Sequence, residues 1–513
     1  MNANQRPARV ARRNATPLLA SVFIVASCGL AYELIAGAMA SYLLGDSVMQ
    51  FSTVIGAYLF AMGIGSWLSK FVEGNLLVRF IQIELLVGLL GGLSAGLLFL
   101  IFTLHSGPFR FSLYALVLLI GILVGLEIPL IMRVLKREVA FKDLVAQVLS
   151  VDYIGALAVS LLFPLVLAPQ LGLVRSALLF GLLNALVAVW ALWLFRAQIG
   201  VQNLLRAQSL TVIVLLLAGF AYAGKFVSLA EANLYAEDIV HAESSAYQRI
   251  VVTRWRDEIR LYLNNNLQFS SRDEYRYHEA LVHPALAALP GARRVLVLGG
   301  GDGMAVREIL KYPQIESVTL VDLDPRMTTL FAQSDLLRQL NQNSLSSPKV
   351  KIVNADALKW LEASSEMFDF VVVDFPDPSN HSLGKLYSTA FYRLLKQHVA
   401  QTGLVVVQAT SPMYARASFW TVVTTLETAG WQATPYHALV PSFGEWGYII
   451  ASQHDYHAPL AIDVSTRFVA ADTLPALFHF PKDMARVETE ANRLDNQILV
   501  RLFEREWGRV QVH

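Results

Sequence analysis

A single cysteine in 513 residues rules out an intrachain disulfide and a zinc centre built from thiolates, and that residue, Cys28, lies inside an apolar run. An excess of one charge is also missing. The 41 Lys and Arg balance 40 Asp and Glu, a formal net charge of +1, so bulk electrostatics carries no footprint for nucleic acid. No group of side chains has metal-ligand spacing, and no metal is expected. Low-complexity tracts and internal repeats are absent. Charge as a whole is scarce, at 16% of residues, and the scarcity is concentrated before residue 226.

What fills that region is hydrophobic. The chain is 55% apolar, with a mean hydropathy of +0.47. Runs at Pro17–Met39, Phe51–Ser69, Phe80–Leu104, Phe111–Met132, Val145–Leu167 and Leu173–Phe195 each reach about the 20 residues a bilayer core requires. A seventh run, Leu210–Ala223, is shorter and is expected to span, re-enter or lie at the interface. The first run is too long, and too closely followed by others, for a cleaved signal peptide. Basic residues cluster before the first run (Arg6, Arg9, Arg12, Arg13) and after the fourth (Arg133, Lys136, Arg137, Lys142), which places both flanks on the cytoplasmic side. Six spans leave the C-terminal half in the cytoplasm, and seven put it outside. Glu33, Glu84, Glu127 and Asp152 fall within or at the ends of the runs. Such acids are either paired between helices or bind cations.

From Glu231 the composition becomes that of a soluble domain. Its most informative stretch is Arg294–Gly303, an apolar strand entering a glycine turn, followed by a predicted helix from Met304 to Tyr312. This is the strand–turn–helix opening of a nucleoside-binding α/β sheet. The turn carries Asp302, where a phosphate-binding loop needs bare backbone donors, so a cationic ligand is expected. Strands are predicted at Arg294–Leu298, Ser317–Val321, Val350–Val353, Phe368–Val373 and Leu404–Val407, with helices between them. Short β-runs at Gln248–Thr253, Ile259–Leu263 and Leu267–Phe269 precede a helix at Asp273–Leu289. The expected organisation is a multi-pass α-helical membrane domain at 1–230, a small antiparallel β-unit at 231–271, and a doubly wound, Rossmann-like α/β sheet at 272–513. Asp302, Asp322, Asp356, Asp374 and Gln408 stand at predicted strand ends, where ligands of such sheets bind. Asp322 follows the turn by about 20 residues, the spacing at which an acid takes ribose hydroxyls, and Asp356-Ala357 is placed near the base.

Tyr247-Gln-Arg-Ile250, Leu261-Tyr-Leu-Asn264, Tyr277-His-Glu279, Gly299-Gly-Gly-Asp-Gly303, Val321-Asp-Leu-Asp324, Asn354-Ala-Asp-Ala357, Asp374-Phe-Pro-Asp-Pro378, Leu386-Tyr387 and Val407-Gln408 occur in this order. Over about Ser245 to Ser452 the chain resembles the spermidine synthase (polyamine aminopropyltransferase) family, and its first half resembles the membrane part of bacterial membrane-bound members. The resemblance implies transfer of a propylamine group from decarboxylated S-adenosylmethionine to putrescine, giving spermidine and methylthioadenosine. No permanently bound cofactor is implied.

Under it, Gln248, His278, Gly299, Gly301, Asp322, Asp356 and Ala357 hold the donor, with Asp322 on the ribose. Asp302 pairs with the ammonium of the donor's aminopropyl arm. Tyr277, Asp377, Tyr387 and Gln408 line the acceptor channel, and Asp374 is the catalytic carboxylate. Two departures stand out. Phe375-Pro376 fills the space between the motif aspartates, where many relatives carry two small polar residues. Pro441–Gly447 places Phe443 where relatives carry a tyrosine, with Glu445 beside it as an alternative anion for a distal amine. The expected setting is the cell membrane, with the catalytic half cytoplasmic and the chain a homo-oligomer. Two alternatives remain at this level: an amine methyltransferase using S-adenosylmethionine, and a polyamine transporter or sensor with a ligand-binding soluble domain.

Overall fold

The computed structural model describes residues 6–44, 48–104, 109–136, 141–235, 237–245 and 247–510. Of the basic flanks, Arg137 lies outside the described residues, as do the side chains of Arg6, Arg9, Arg12, Arg13 and Lys142. The chain divides into two units, Met1–Glu237 and Asp238–His513.

Long apolar runs make the first unit helical, because a helix satisfies its own backbone where water is absent. Its helices are α1 (Arg6–Leu44), α2 (Val48–Leu68), α3 (Leu76–Leu104), α4 (Phe109–Leu135), α5 (Phe141–Leu162), α6 (Ala168–Leu194) and α7 (Gln202–Leu234). Six stretches are long and apolar enough to cross a bilayer: Leu19–Ser41, Gln50–Phe71, Leu76–Leu104, Phe109–Val134, Leu144–Leu194 and Gln202–Val227. The fifth joins most of α5 to α6. Its 51 residues are long enough for two crossings. A π turn at Phe163–Leu167 and a φ of 73° at Gly172 interrupt it. The short run Leu210–Ala223 proves to be the middle of a 33-residue helix. Its flanks contain Gln, Arg and Ala, good helix formers that hydropathy alone overlooks. Outward-facing side chains such as Phe60 and Trp193, each 66% exposed, are apolar, which is compatible with a surface in contact with lipid.

The second unit opens with an antiparallel meander, β1 (Asp238–Ser244), β2 (Arg249–Trp255), β3 (Glu258–Leu263) and β4 (Asn266–Ser270). Asn264 and Asn265, with φ of 49° and 66°, turn β3 into β4. Paired positive φ values give the tight turn that matches the strand twist, and asparagine tolerates them best after glycine.

After α8 (Glu274–Leu286) comes a seven-stranded sheet of β5 (Arg294–Gly299), β6 (Ser317–Asp322), β7 (Val350–Asn354), β8 (Phe368–Asp374), β9 (Val399–Ala409), β10 (Gln432–Val440) and β11 (Gly444–Ser452). Its order is β10-β11-β9-β8-β5-β6-β7. The middle strands are parallel, while β11 and β10 add an antiparallel edge that the sequence pattern did not announce. Val295 and Val297 join one core while Leu296 and Leu298 join the other. This two-sided burial is why the strands read as continuous apolar runs. Helices α9 (Met304–Ile309), α10 (Pro325–Gln333), α11 (Asp335–Leu340) and α12 (Ala357–Ala363) alternate with the strands. The strand order reverses between β5 and β8, and their register pairs Gly299 with Asp374. A crevice therefore opens where both strands end.

Candidate active site

The glycine turn brings two carboxylates to that crevice. Gly299, Gly300 and Gly303 have φ of 83°, 65° and 77°, a backbone only glycine adopts freely. Asp302 Oδ1 accepts the Met304 backbone N–H at 2.9 Å, so the carboxylate is fixed at the start of α9. Burial raises its pKa above the ordinary value, and His278 opposes the rise. At the end of β6, Asp322 accepts the Gly301 N–H at 3.0 Å and the Asp324 N–H at 2.8 Å. Burial lifts Asp322 to about 6. Gln248 donates to Asp324 Oδ2 at 3.0 Å, beside Ser245 Oγ at 2.7 Å.

Across the crevice, Asp374 Oδ1 accepts the Tyr277 hydroxyl at 2.6 Å. Burial pushes Asp374 up to about 6, against the pull of His278 and the Tyr277 hydrogen bond. His278 is held by Glu274 at 2.8 Å, and Glu274 is itself clamped by both terminal nitrogens of Arg307. Burial works against a charged imidazole here, but Glu274, with Asp302 and Asp374 nearby, raises its pKa on balance. The protonated form of this ring is thus favoured by the carboxylates around it, and it in turn eases their mutual repulsion. Asp377 carries a buried Oδ1 without a hydrogen-bond partner. Burial takes it to about 7 against nearby Gln408 and Thr410.

Several expected ligands prove to be engaged with the scaffold. Gln408 donates to the Phe375 carbonyl and to Tyr387 Oη at 3.0 Å, and its own oxygen accepts Trp446 Nε1 at 3.2 Å. Tyr387 donates to the Phe375 and Pro376 carbonyls at 3.2 and 3.1 Å. Together they fix the loop carrying Asp374 and Asp377. Asp356 stands beyond the end of β7 as the N-cap of α12, bonded to the Lys359 N–H at 3.2 Å and to Lys385 Nζ at 2.7 Å. Lys385 outweighs burial and lowers the Asp356 pKa. Ala357 follows, buried, at the first turn of that helix.

Glu445 corrects the expectation of a second anion. It bonds His437 at 2.8 Å and lies one residue before Trp446 on β11, so strand alternation turns it to the opposite face. Phe443 does belong to the crevice, 6.4 Å from Tyr277 and 5.2 Å from Trp446 between ring centroids. Trp446 and Tyr448 complete this aromatic wall, 6.5 and 5.6 Å from Tyr277. Sequence reasoning missed both. Their spacing of two in a β-run was the available signal.

A strand-switch crevice lined by carboxylates and aromatic rings is the ligand-binding position of an α/β domain of the transferase type. The comparisons make that class specific. Residues 274–461 match the family model described as Spermine/spermidine synthase domain. A Ralstonia nicotianae protein named Polyamine aminopropyltransferase 1 is 62% identical over 98% of this chain and 97% of its own. The Polyamine aminopropyltransferase of Leptospira interrogans is 52% identical over 96% and 99%. A solved structure titled as spermidine synthase from Thermotoga maritima aligns with 48% of this chain and 87% of that one, at 21% identity and a TM-score of 0.44. The chain belongs to the polyamine aminopropyltransferase family and is a transferase.

Proposed function

We propose that this protein moves the propylamine group of decarboxylated S-adenosylmethionine to putrescine, yielding spermidine and methylthioadenosine. The observation that carries the proposal is the pairing of Asp302 and Asp374 across one crevice, each buried beside His278. The donor is a sulfonium with a terminal ammonium. Asp302 attracts that ammonium and disfavours ordinary S-adenosylmethionine, which carries a carboxylate at the same place. Asp322, at the end of the neighbouring strand, takes the ribose hydroxyls, and the turn of Gly299 and Gly301 admits the nucleoside close to the backbone. Gln248 acts through Asp324, and Asp356 with Ala357 frames the base.

The acceptor must attack as a neutral amine, whereas alkylamines are largely protonated at pH 7. Asp374 takes the proton from the attacking nitrogen while the Tyr277 hydroxyl fixes the carboxylate's orientation. The nitrogen lone pair forms the new C–N bond as the C–S bond breaks. The electron pair of that bond returns to sulfur, and neutral methylthioadenosine leaves. Asp377 and the rings of Phe443 and Trp446 hold the distal ammonium. Tyr387 and Gln408 act by keeping the loop in place. The first unit sets the protein in the cell membrane, and the second unit lies on the cytoplasmic side, where the donor is made, which requires α1–α7 to make an even number of crossings. Incubating the full-length protein with decarboxylated S-adenosylmethionine and a panel of diamines tests the reading. Spermidine and methylthioadenosine are expected with putrescine. A methylated amine formed from ordinary S-adenosylmethionine instead would overturn it.

A further inference from the structure

The helix bundle contains a polar cluster that the transferase chemistry does not use. Glu84 on α3 and Glu127 on α4 are 0% and 1% exposed. Neither carboxylate has a hydrogen-bond partner on any of its oxygens. The two acids interact electrostatically with each other, and both act on Cys28 and Tyr32 of α1. Asp152 of α5 acts on Glu127. Glu127 and Glu33 of α1 also act on Tyr58 of α2, whose hydroxyl donates to the Gly29 carbonyl at 2.8 Å.

Asn184 on α6 is a second, independent observation. It is fully buried, and neither its oxygen nor its nitrogen has a partner. Asn184 sits against Gly88, where an added Cβ would meet its Cβ at 3.2 Å and the Gly181 carbonyl at 2.7 Å. Gly88 is one helical turn from Glu84, so both lie on the same face of α3. The hydroxyl of Tyr32 is likewise buried and unpartnered. Among the described residues, no Lys, Arg or His is among the groups acting on either carboxyl. Beyond Tyr32 lies a cavity of about 10 Å³ lined by Ile35, Tyr58, Leu98, Val117 and Ile120 among others, room for about one water molecule.

Unpaired carboxylates in an apolar bundle are costly, so such a pair carries protons or a cation. The donor set is oxygen only: two carboxylates, an amide carbonyl and a phenol. A primary ammonium group needs three acceptors and is about the size of a water molecule.

We propose that Glu84, Glu127 and Asn184 form an intramembrane binding site for the primary ammonium group of an alkylamine, which displaces a proton from the acid pair. Charge balances, since one proton leaves as one ammonium enters. The choice of an amine over other cations rests on the polyamine chemistry proposed for the second unit.

The test uses full-length protein in lipid nanodiscs, followed by infrared difference spectroscopy of the protonated-carboxyl C=O band as putrescine is added. The band is expected to shrink in the wild type and in Asp374→Asn. The part lost is expected to be absent from Glu84→Gln and Glu127→Gln. Persistence of the full change in both Gln variants would overturn the site. An equal change with sodium chloride in place of putrescine would overturn the amine. If the Gln variants do not assemble, Asn184→Ala, which alters no charge, is expected to weaken the putrescine response, and an unchanged midpoint would count against the proposal. Spermidine formation is measured in the same preparation. Its absence sinks the catalytic reading, whereas a missing carboxyl response with spermidine formation intact sinks this one alone.

Discussion

Asp374 combines three constraints: a strand end, a hydroxyl at 2.6 Å, and burial that holds its pKa at about 6. Replacing it with asparagine keeps the shape but removes the proton acceptor. Turnover is expected to fall by roughly two to four orders of magnitude, the range for general-base work, with methylthioadenosine affinity little changed by calorimetry. The same carboxyl sets the acid side of the pH profile. Because burial raises its pKa, Asp374 is protonated and inactive below about 6 and ionised above it. kcat/KM for the acceptor is therefore expected to rise through that region. A bound cationic donor favours the carboxylate, so the acid limb of kcat is expected at lower pH than that of kcat/KM. Coincident limbs would assign the titration elsewhere. Asp302→Asn is expected to weaken decarboxylated S-adenosylmethionine more than methylthioadenosine, which lacks the ammonium. Equal losses would reduce Asp302 to a cap on α9.

Single elements place these groups, and small changes in them carry far. A Cβ on Gly301 would lie 2.6 Å from Asp322 Oδ2, which also accepts the Gly301 N–H. Gly301→Ala is expected to displace that carboxylate and raise the donor KM by about tenfold or more, equivalent to one charged hydrogen bond of about 1.5–3 kcal/mol. Unchanged donor kinetics would show that the turn relaxes freely. The parallel strands, the glycine turn and the aspartates at strand ends were legible because two-sided burial and sharp turns leave strong local patterns. The edge formed by β10 and β11 was not. Pro435 sits within β10, and proline argues against a strand except at an edge, where β10 in fact lies. Missing that hairpin hid Trp446 and Tyr448, and it left Glu445 facing the wrong way. The engagement of Gln408 with Phe375, Tyr387 and Trp446 depends on three separate elements, which no local pattern encodes.

At the scale of the whole molecule, the hydrophobic cores of Asp238–His513 contain only that unit's own residues. The isolated second unit is expected to fold and to keep the kcat/KM of the full chain. A steep loss would make the first unit part of the transferase. Protease added to intact cells is expected to spare the second unit, and cleavage there would place it outside. Cys28 bears on how such questions can be asked. It is the chain's one cysteine, fully buried, with its thiol bonded to the Phe180 carbonyl. The native protein should therefore stay dark to a membrane-impermeant maleimide. A reporter thiol introduced by Leu460→Cys, at a side chain 99% exposed, would be the only one to label. Fluorophores or spin probes can be attached one position at a time, with the natural sequence otherwise untouched.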